Sequence, residues 1–426
     1  MKKVYYQLKM YQKSPLRISS GDNETTDSDL LLDGRGCPFI PGSSIAGVLR
    51  EYYSKRASAA DVNELFGYVS GETLANSHVT VSDGTLGRLA AAGDYRITVR
   101  DGIRLDEWGV TVSGSKYDFQ VVETKRPYSS VLEWTGDSAA YEREIAGGLD
   151  LLMRAVAADG ISFGARTTRG YGNMSVTVKR KEFNFPEDLE NWLVFDPFEE
   201  EMFEDGEDIA AESGDLYARD ICISARIQIK GSFSVRVNTA RAERLEDGSV
   251  PDSVPLSSQD HKPVIPGTSW AGVFRHHMLS LLRQCGSLEK EKLNRLFGVE
   301  ETENAHTKSS ICFDETEIHG GEAYSVTRNA VDRFTQAPRN SALFTARYWQ
   351  GGVGTLNVRV QKEKMDKFLA QLLAVALIDL DLGLLTFGGS AGTGQGRCEI
   401  ISLMVNGEDA TGRLKKLDSH FLEEIL

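Results

Sequence analysis

The sequence has no apolar run long enough to span a membrane as a helix. Its first residues, Met1 to Tyr5, lead directly into an alternating strand pattern and lack the apolar core of a signal peptide. The five cysteines include no C-x-x-C pair, so neither a zinc knuckle nor a disulfide framework is indicated. The seven histidines offer no metal-ligand arrangement either. These absences favour a cytoplasmic location.

Positive charge is also in short supply, since the formal net charge is −14. This balance argues against a general polyanion binder. The negative charge is concentrated, however, because ten acids and no lysine or arginine lie between Asp196 and Asp215. We interpret residues 191–218 as an acidic, solvated linker between two folded parts. Docking of this stretch to a basic partner is the alternative.

A ten-residue stretch occurs twice in the chain. Pro41–Arg50 returns as Pro266–Arg275, 225 residues later, and each copy follows a short apolar run and opens a helix. A turn with outward-pointing N–H groups, followed by an arginine one helical turn inside, is suited to holding a phosphate. An ordinary loop-to-helix joint is the competing interpretation, which the repetition disfavours. The candidate contacts are Ser43, Ser44 and Arg50 in the first copy and Thr268, Ser269 and Arg275 in the second.

The repetition extends over both halves. Alternating apolar residues predict a first strand in each half, at Val4–Met10 and Ile221–Ile229. The repeated helix, a Leu-Phe-Gly motif, a short strand, a long hairpin, a second helix and a closing strand follow in both. The order β-α-β-β-α-β, written twice, predicts an α+β protein of two tandem ferredoxin-like, RRM-like modules. We place them at residues 1–190 and 219–426, each with a long thumb hairpin whose loop lies near 101–116 or 329–341.

A glycine-rich segment precedes the last strand of each half. The two copies, Phe163–Gly172 and Phe387–Gly396, are 224 residues apart. Glycines let a backbone approach a ligand closely, whereas a plain tight turn is an equally good interpretation. Because the segment follows a helix and not a strand, a dinucleotide site is disfavoured. The candidate ligand contacts are Gly164, Arg166, Arg169 and Gly170 in the first copy and Gly389 and Gly392 in the second.

These motifs together resemble the RAMP superfamily, and more narrowly the filament-forming backbone subunits of type III CRISPR effector complexes. The likeness covers nearly the whole chain, once per half. It implies a ribonucleoprotein of antiviral defence in which the turns and glycine-rich loops hold a guide RNA (crRNA). Complementary target RNA and other CRISPR effector subunits would be the further partners. The thumbs, with Arg100 and Arg328 at their bases, would interrupt the guide–target duplex.

The resemblance also implies a catalytic aspartate in the loop before each Pro-Gly turn, within a pattern like Asp-Ser-Pro-Val-x-x-Asp. The matching positions are Asp27 and Asp252, although Asp29 replaces the proline and the second copy lacks the trailing aspartate. Asp22, Asp29 and Asp260 are therefore rival candidates. Such a carboxylate would hold a divalent metal, Mg²⁺ by expectation, or accept the 2′-OH proton in an endoribonuclease reaction.

Two other interpretations stay open at this point. Loop aspartates are often turn formers and helix caps, without any catalytic part. The chain would then be a catalytically inactive scaffold that binds guide RNA. An enzyme that binds a nucleotide or a phosphorylated metabolite through the glycine-rich loops is the second.

Overall fold

The computed structural model describes residues 1–19, 21, 26–55, 57–70, 73–88, 90–91, 93–103, 106, 112–211, 220–238, 251–286, 290–302, 305–389 and 391–425. Over these residues the chain is a mixed α/β protein with two compact units. The first unit takes in residues 1–99, 119–167 and 171–218. The second unit takes in residues 100–118, 168–170 and 219–426. None of the helices in the described ranges has the length and apolarity that crossing a bilayer requires.

The first half forms one main sheet around its first strand. The strands of this half, inside and outside the main sheet, are β1 (Lys2–Gln12), β2 (Tyr68–Ser70), β3 (Thr73–Ala75), β4 (Val79–Val81), β5 (Tyr95–Gly102), β6 (Tyr117–Thr124), β7 (Tyr128–Gly136), β8 (Ile161–Ser162), β9 (Asn173–Asn184) and β10 (Glu207–Asp208). Its helices are α1 (Gly42–Ser54), α2 (Ala59–Phe66), α3 (Ser138–Ala140), α4 (Asp150–Asp159) and α5 (Leu189–Leu193), with a π-helical stretch, Tyr141–Leu149, joining α3 to α4. The sheet order is β10-β9-β1-β7-β4, and β1 is antiparallel to both neighbours.

The alternation of β1 decides which face of this sheet is the core. Val4, Tyr6, Leu8 and Met10 are at most 1% exposed and belong to one cluster with the apolar residues of α1 and α4. Burying a large apolar side chain contributes about 1.5–3 kcal/mol. The two helices therefore cover one face of the sheet, as the period-2 pattern predicts.

The second half repeats this plan. Its strands are β11 (Asp220–Lys230), β12 (Ser232–Phe233), β13 (Arg236–Asn238), β14 (Ser253–Pro255), β15 (Val264–Ile265), β16 (Val299–Thr302), β17 (Ala305–Thr307), β18 (Ile311–Phe313), β19 (Thr316–Glu317), β20 (Glu322–Val331), β21 (Pro338–Gln350), β22 (Val353–Gln361), β23 (Arg397–Val405) and β24 (Glu408–Asp409). Its helices are α6 (Gly267–Gln284), α7 (Lys290–Phe297), α8 (Lys367–Asp381) and α9 (Thr411–Lys415). The main sheet runs β18-β22-β11-β23-β24, so β11 lies between β22 and β23 as β1 lies between β7 and β9.

Each half also carries a hairpin outside its main sheet, and in the second half this hairpin belongs to a second sheet of five strands, β12, β13, β14, β20 and β21. In the first half β5 pairs with β6, and residues 104–105 and 107–111 of the predicted loop lie outside the described residues. In the second half β20 pairs with β21 in an antiparallel register from Glu322 opposite Gln350 to Val331 opposite Pro338. Residues 100–118 of the first hairpin cluster with the second unit.

The acidic stretch is folded over most of its length. Phe195 and Phe203 pack with Tyr5 and Phe183 on the face of the first sheet that α1 and α4 leave open, and Phe203 is fully buried. Strand β10 then adds to β9 at the edge of this sheet. The interpretation of residues 192–209 as a solvated linker is therefore wrong, because the aromatic residues among the acids supply a small core. Residues 212–218 lie outside the described part of the chain.

We predict that Phe203→Ala lowers the free energy of unfolding of the full chain by about 3–5 kcal/mol, since it leaves a cavity in this aromatic cluster. Phe198→Ala is the matched control, because Phe198 belongs to the same stretch and is 64% exposed. Its effect should stay within about 0.5 kcal/mol. Urea denaturation followed by circular dichroism measures both. Equal effects of the two substitutions would restore the linker interpretation.

Candidate nucleic-acid interface

The loop that carries Asp27 lies along strand β6. The backbone N–H of Gln120 donates to the carbonyl oxygen of Ser28 at 3.1 Å, and the N–H of Leu30 donates to Oε1 of Gln120 at 3.0 Å. Asp27 itself is exposed. These bonds fix the backbone on both sides of the Asp27-Ser28-Asp29 sequence while leaving Asp27 at the surface.

The loop that carries Asp252 is held in the same way by strand β21. The N–H of Asp252 donates to the carbonyl oxygen of Thr345 at 2.7 Å, and the N–H of Thr345 donates to Oδ2 of Asp252 at 2.7 Å. Ser253 then pairs with Ala346. Both Asp-Ser pairs therefore lie beside the second strand of their own hairpin.

An arginine lies over an aromatic ring next to each of these loops. In the first half, the guanidinium groups of Arg17 and Arg166 lie 4.5 and 4.6 Å from the ring centre of Phe119, the residue before Gln120. In the second half, Arg236 lies 5.9 Å from the ring of Phe344, the residue before Thr345. Cation–π contacts of this kind hold a guanidinium flat over the face of a ring.

Three residues of the glycine-rich segments shape these stacks. Arg166 adopts a left-handed backbone conformation, with φ of 64°. A Cβ atom on Gly389 would lie 3.0 Å from Nε of Arg236, so a glycine gives that side chain room. Gly164 has φ of 81°, and a Cβ there would lie 2.2 Å from the carbonyl oxygen of Arg17. These positions of the predicted loops serve the stacks in both halves.

Each half thus places a loop aspartate, an arginine and a hairpin aromatic ring along neighbouring backbone segments. Guanidinium groups contact phosphates, so this combination suits the backbone of a single-stranded or splayed nucleic acid. Phe119 is 2% exposed and can only support its arginines, whereas the ring of Phe344 is 37% exposed and could also meet an unpaired base. The sequence reasoning missed Arg17, Phe119, Arg236 and Phe344. Their partners are far apart along the chain, and no local spacing marks them.

The rival aspartates differ in what they do. Oδ1 of Asp29 accepts hydrogen bonds from the N–H and the hydroxyl of Thr26, at 2.9 and 2.8 Å, and so caps the turn. Asp260 is exposed in the turn between Ser258 and His261. Asp22 lies outside the described residues. Across the described ranges, no three His, Cys, Asp or Glu side chains converge as a metal-binding group.

The repeated Pro-Gly turns begin helices without side-chain caps. Helix α1 starts at Gly42 after Pro41, and α6 starts at Gly267 after Pro266, with Ser43, Ser44, Thr268 and Ser269 in their first turns. The N–H groups of Ser44 and Ser269 donate back to the proline carbonyl oxygens at 2.8 and 2.9 Å. The N–H of Gly42 donates to Oδ1 of Asp83 at 2.7 Å. The protein's own carboxylate therefore takes one amide that a phosphate would use.

The arginines of the repeated stretch connect two helices. Nη2 of Arg50 donates to Oδ1 of Asn63 on α2 at 2.9 Å, and Nη2 of Arg275 donates to Oδ1 of Asn294 on α7 at 3.2 Å. Both asparagines stand two residues before the Leu-Phe-Gly motif. These bonds support the interpretation of the repeated stretch as an ordinary loop-to-helix joint, although a guanidinium has further N–H donors for a ligand.

Other predicted contacts lie inside the second unit. Arg100 is 4% exposed and donates to both carboxylate oxygens of Glu315, whose side chain is 9% exposed. A Cβ on Gly170 would lie 2.6 Å from the carbonyl oxygen of Phe313, and one on Gly267 would lie 2.5 Å from that of Arg169. Arg100 and Gly170 are thus engaged with protein, so the structure does not support them as surface contacts to a phosphate.

Their counterparts in the second half are open. Arg328 is exposed, with its guanidinium 5.6 Å from the ring centre of Tyr348. A Cβ on Gly392 would meet no atom within 4 Å. The same motif is therefore closed by protein in one half and accessible in the other.

One family model agrees with the repeat. The model of the RAMP superfamily matches this chain twice, over residues 9–175 and 231–399. Among solved structures, a chain from the cryo-electron microscopy structure of the type III-B Cmr-beta complex bound to cognate target RNA aligns with 41% of this chain and 96% of its own length. The two are 12% identical with a TM-score of 0.32. No curated protein sequence matches this chain.

We predict that Arg100→Ala lowers the free energy of unfolding by about 3–5 kcal/mol, because it leaves the carboxylate of Glu315 buried without its partner. Arg328→Ala removes the equivalent, exposed arginine of the second half and should change stability by about 0.5 kcal/mol at most. Chemical denaturation of the dilute full chain measures both. Similar small effects would mean that the Arg100–Glu315 pair is replaceable by water.

Proposed function

Because the chain belongs to the RAMP superfamily, we propose that it is a guide-RNA-binding backbone subunit of a type III CRISPR effector complex. It cleaves complementary target RNA through one loop aspartate per half, Asp27 and Asp252. The observation that carries this proposal is an arrangement present in both halves: an exposed loop aspartate lies beside a hairpin strand, and an arginine lies over an aromatic residue of that strand. Other subunits of such a complex are its partners.

The strand order supports the finer description of each half as a ferredoxin-like module. Counted as first, second, third and fourth core strand, β1, β4, β7 and β9 are arranged 4-1-3-2, and β11, β18, β22 and β23 share that arrangement. The helices α1 and α4, or α6 and α8, fall between the first and second and between the third and fourth core strands. This is the β-α-β-β-α-β connectivity.

The hairpin of the second half has the build of a thumb. Phe334 at its tip is 91% exposed. Oδ1 of Asp332 accepts hydrogen bonds from the N–H groups of Thr335 and Phe334 at 2.9 and 3.0 Å, which lowers the pKa of that carboxyl and fixes the turn. An apolar ring held in this way is suited to wedge between stacked bases. In the proposed complex it would interrupt the guide–target duplex and splay a target phosphate toward the Asp252 loop.

The arginine stacks give each half a cationic contact to the RNA backbone. Arg17, Arg166 and Arg236 would hold phosphates, and the partly exposed ring of Phe344 would face a splayed base. Sequence would be read by pairing of guide to target and not by the protein. This division of labour fits a chain whose net charge is −14, since only local positive groups are needed.

Cleavage needs little beyond geometry and one carboxylate. The target's own 2′-OH serves as nucleophile, so the protein's part is to splay the backbone into line. Asp27 or Asp252 would accept the 2′-OH proton, a contribution of roughly 10²–10⁴-fold. A single exposed carboxylate per site also fits Mg²⁺, which is commonly held by one or two carboxylates together with phosphate oxygens and water. Such an ion would stabilise the developing charge on the phosphate.

One observation favours an inactive second half. Oδ2 of Asp252 already accepts the N–H of Thr345, and this bond has the geometry of a loop clamp. The alternative is therefore a guide-RNA-binding scaffold in which one or both aspartates only hold their loops. Asp27 is the firmer catalytic candidate, because the loop of Asp252 departs further from the pattern that the family resemblance implies.

We predict that Asp27→Ala in the assembled complex removes one target cut and that Asp252→Ala removes a second, while guide and target binding persist. Loss at each site should be on the order of 10²-fold or more. Cleavage should also stop with EDTA. Sequencing-gel analysis of end-labelled target measures the cuts.

Asp260→Ala is the control for this experiment, because it removes an exposed loop carboxylate from the same half as Asp252. It should leave both cuts at full rate. If Asp27→Ala also leaves both cuts intact, Asp27 is not the catalyst. If no loop aspartate matters, the chain is the scaffold of the alternative.

We also predict that Arg166→Ala and Arg236→Ala each weaken guide-RNA retention and lower the slope of log K against log[salt] by about 1, since each removes a phosphate contact. Arg88→Ala is the control, because Arg88 is an exposed arginine paired with Glu199. It should change neither quantity. Filter binding at a series of salt concentrations measures both quantities. If all three variants have the same slope, Arg166 and Arg236 are not phosphate contacts.

A further inference from the structure

We propose that the open face of the first sheet is a latent surface for single-stranded RNA, which residues 192–206 keep closed. We call this segment the acidic cover. It lies on the side of the sheet that α1 and α4 leave open. The surface is separate from the proposed guide and target contacts, because none of its residues belongs to the aspartate loops or the arginine stacks.

The covered face combines lysines with aromatic rings on two neighbouring strands. Lys3, Tyr5 and Lys9 alternate with the core residues of β1 and so lie on the opposite face. On β9, Lys181 is the register partner of Tyr5, and Phe183 is that of Lys3. Lysines contact phosphates, and aromatic rings stack on unpaired bases. This set of side chains therefore suits a single-stranded nucleic acid.

The acidic cover places its own rings where bases would stack. The ring centre of Phe195 lies 5.0 Å from those of Tyr5 and Phe183. It also lies 5.4 Å from the ring centre of Phe203. Nε1 of Trp192 donates to the hydroxyl oxygen of Tyr5 at 3.0 Å. As a result, Tyr5 and Phe183 are each only 3% exposed.

The cover also offers oxygen atoms to the lysines of the sheet. Nζ of Lys9 pairs with Oε2 of Glu200 at 2.9 Å, and Nζ of Lys181 pairs with Oδ1 of Asp205 at 2.7 Å. Nζ of Lys179 donates to two backbone carbonyl oxygens of the cover, at 3.2 and 3.4 Å. A row of oxygens beside stacked rings is the arrangement that phosphates and bases of an RNA strand would provide. The cover therefore occupies this face in the manner of a nucleic acid.

The ionic contacts hold the cover only weakly. The side chains of Glu200 and Asp205 are 63% and 75% exposed, and such exposed ion pairs contribute little to stability. On the outer side of the cover, Leu193 and Phe198 are 68% and 64% exposed. RNA can take the place of each part of the cover, because a phosphate replaces a carboxylate on a lysine and a base replaces a ring.

The second sheet provides a comparison within the chain. On β11 the residues that alternate with the core include Arg226, Gln228 and Lys230, and all three are exposed. Among the residues of β11, all of which the structure describes, none is aromatic. The aromatic cover thus lies on the sheet whose open face carries both rings and lysines. This is the sheet on which an uncovered face would bind RNA by stacking.

Fluorescence anisotropy of a labelled oligouridylate of about 12 nucleotides tests the proposal on the purified, RNA-free full chain. Glu200→Lys combined with Asp205→Lys places like charges against Lys9 and Lys181 and so opens the cover. We expect this opened chain to bind the RNA about tenfold or more tightly than the wild-type chain, because lysines and rings become accessible together.

Glu187→Lys combined with Glu190→Lys is the charge-matched control, because it makes the same change at two exposed acids that precede the cover. It should raise the affinity by about threefold at most, since its lysines lie beside no exposed ring. Adding Tyr5→Leu to the opened chain should remove most of the gain, because leucine packs against the sheet but does not stack on a base.

Circular dichroism establishes that each variant is folded. If the opened chain is not, Glu200→Gln with Asp205→Asn removes the charges, keeps the shapes and should give a gain of about threefold. A folded, opened chain that binds RNA no more tightly than the control overturns the proposal. So does a gain that survives Tyr5→Leu. The gain should persist after Arg166→Ala and Arg236→Ala are added, so the test does not depend on the proposed guide contacts.

Discussion

The close approach of three backbone segments at Phe313 is the constraint on which the second unit depends. The carbonyl oxygen of Phe313 lies where a Cβ on Gly170 or on Gly267 would collide with it. Only glycine fits both positions, so the tip of the first glycine-rich loop and the start of α6 can lie against the same strand end. Arg100 then reaches Glu315 in a buried, doubly bonded pair. The repeated Pro-Gly turn is therefore a packing element, whatever else it binds.

The architecture was predictable because local sequence patterns determine it. The alternation at Val4–Met10 and Ile221–Ile229 gives the central strand of each sheet, and the offsets of 225 and 224 residues predict two tandem regions of one kind. Sheet order and family match confirm a mixed α/β chain with that repeat. Charge counting failed for the acidic stretch because the count ignored Phe195 and Phe203. Aromatic burial outweighs solvated charge in deciding whether such a segment packs.

The site was predictable only in part, for a different physical reason. The Asp-Ser pairs could be found because a motif precedes each turn, and their place along the hairpins agrees with the equivalence drawn from the sequence. The partners of the arginines could not be found, because they are set by tertiary contact. Arg100 pairs with Glu315, which lies 215 residues away along the chain. Arg17 lies over the ring of Phe119 on β6. Only the asparagine before each Leu-Phe-Gly motif carried a readable signal, and it marks the bonds of Arg50 and Arg275.

A duplicated motif need not have the same role in both copies. In this chain, residues of one copy pack against protein while the equivalent residues of the other copy lie at the surface. In the first half Gly170 packs against the backbone of Phe313 and Arg100 is buried in its pair with Glu315. In the second half Gly392 and Arg328 are open. The loop aspartates behave otherwise, since Asp27 and Asp252 are exposed in both halves. A residue that packs against neighbouring protein is buried in the copy that has such a neighbour. A residue that contacts a nucleic acid in both halves has to be exposed in both copies. Exposure in both copies is therefore the better guide to an RNA site than the motif itself, and it favours the aspartate loops over the Pro-Gly turns.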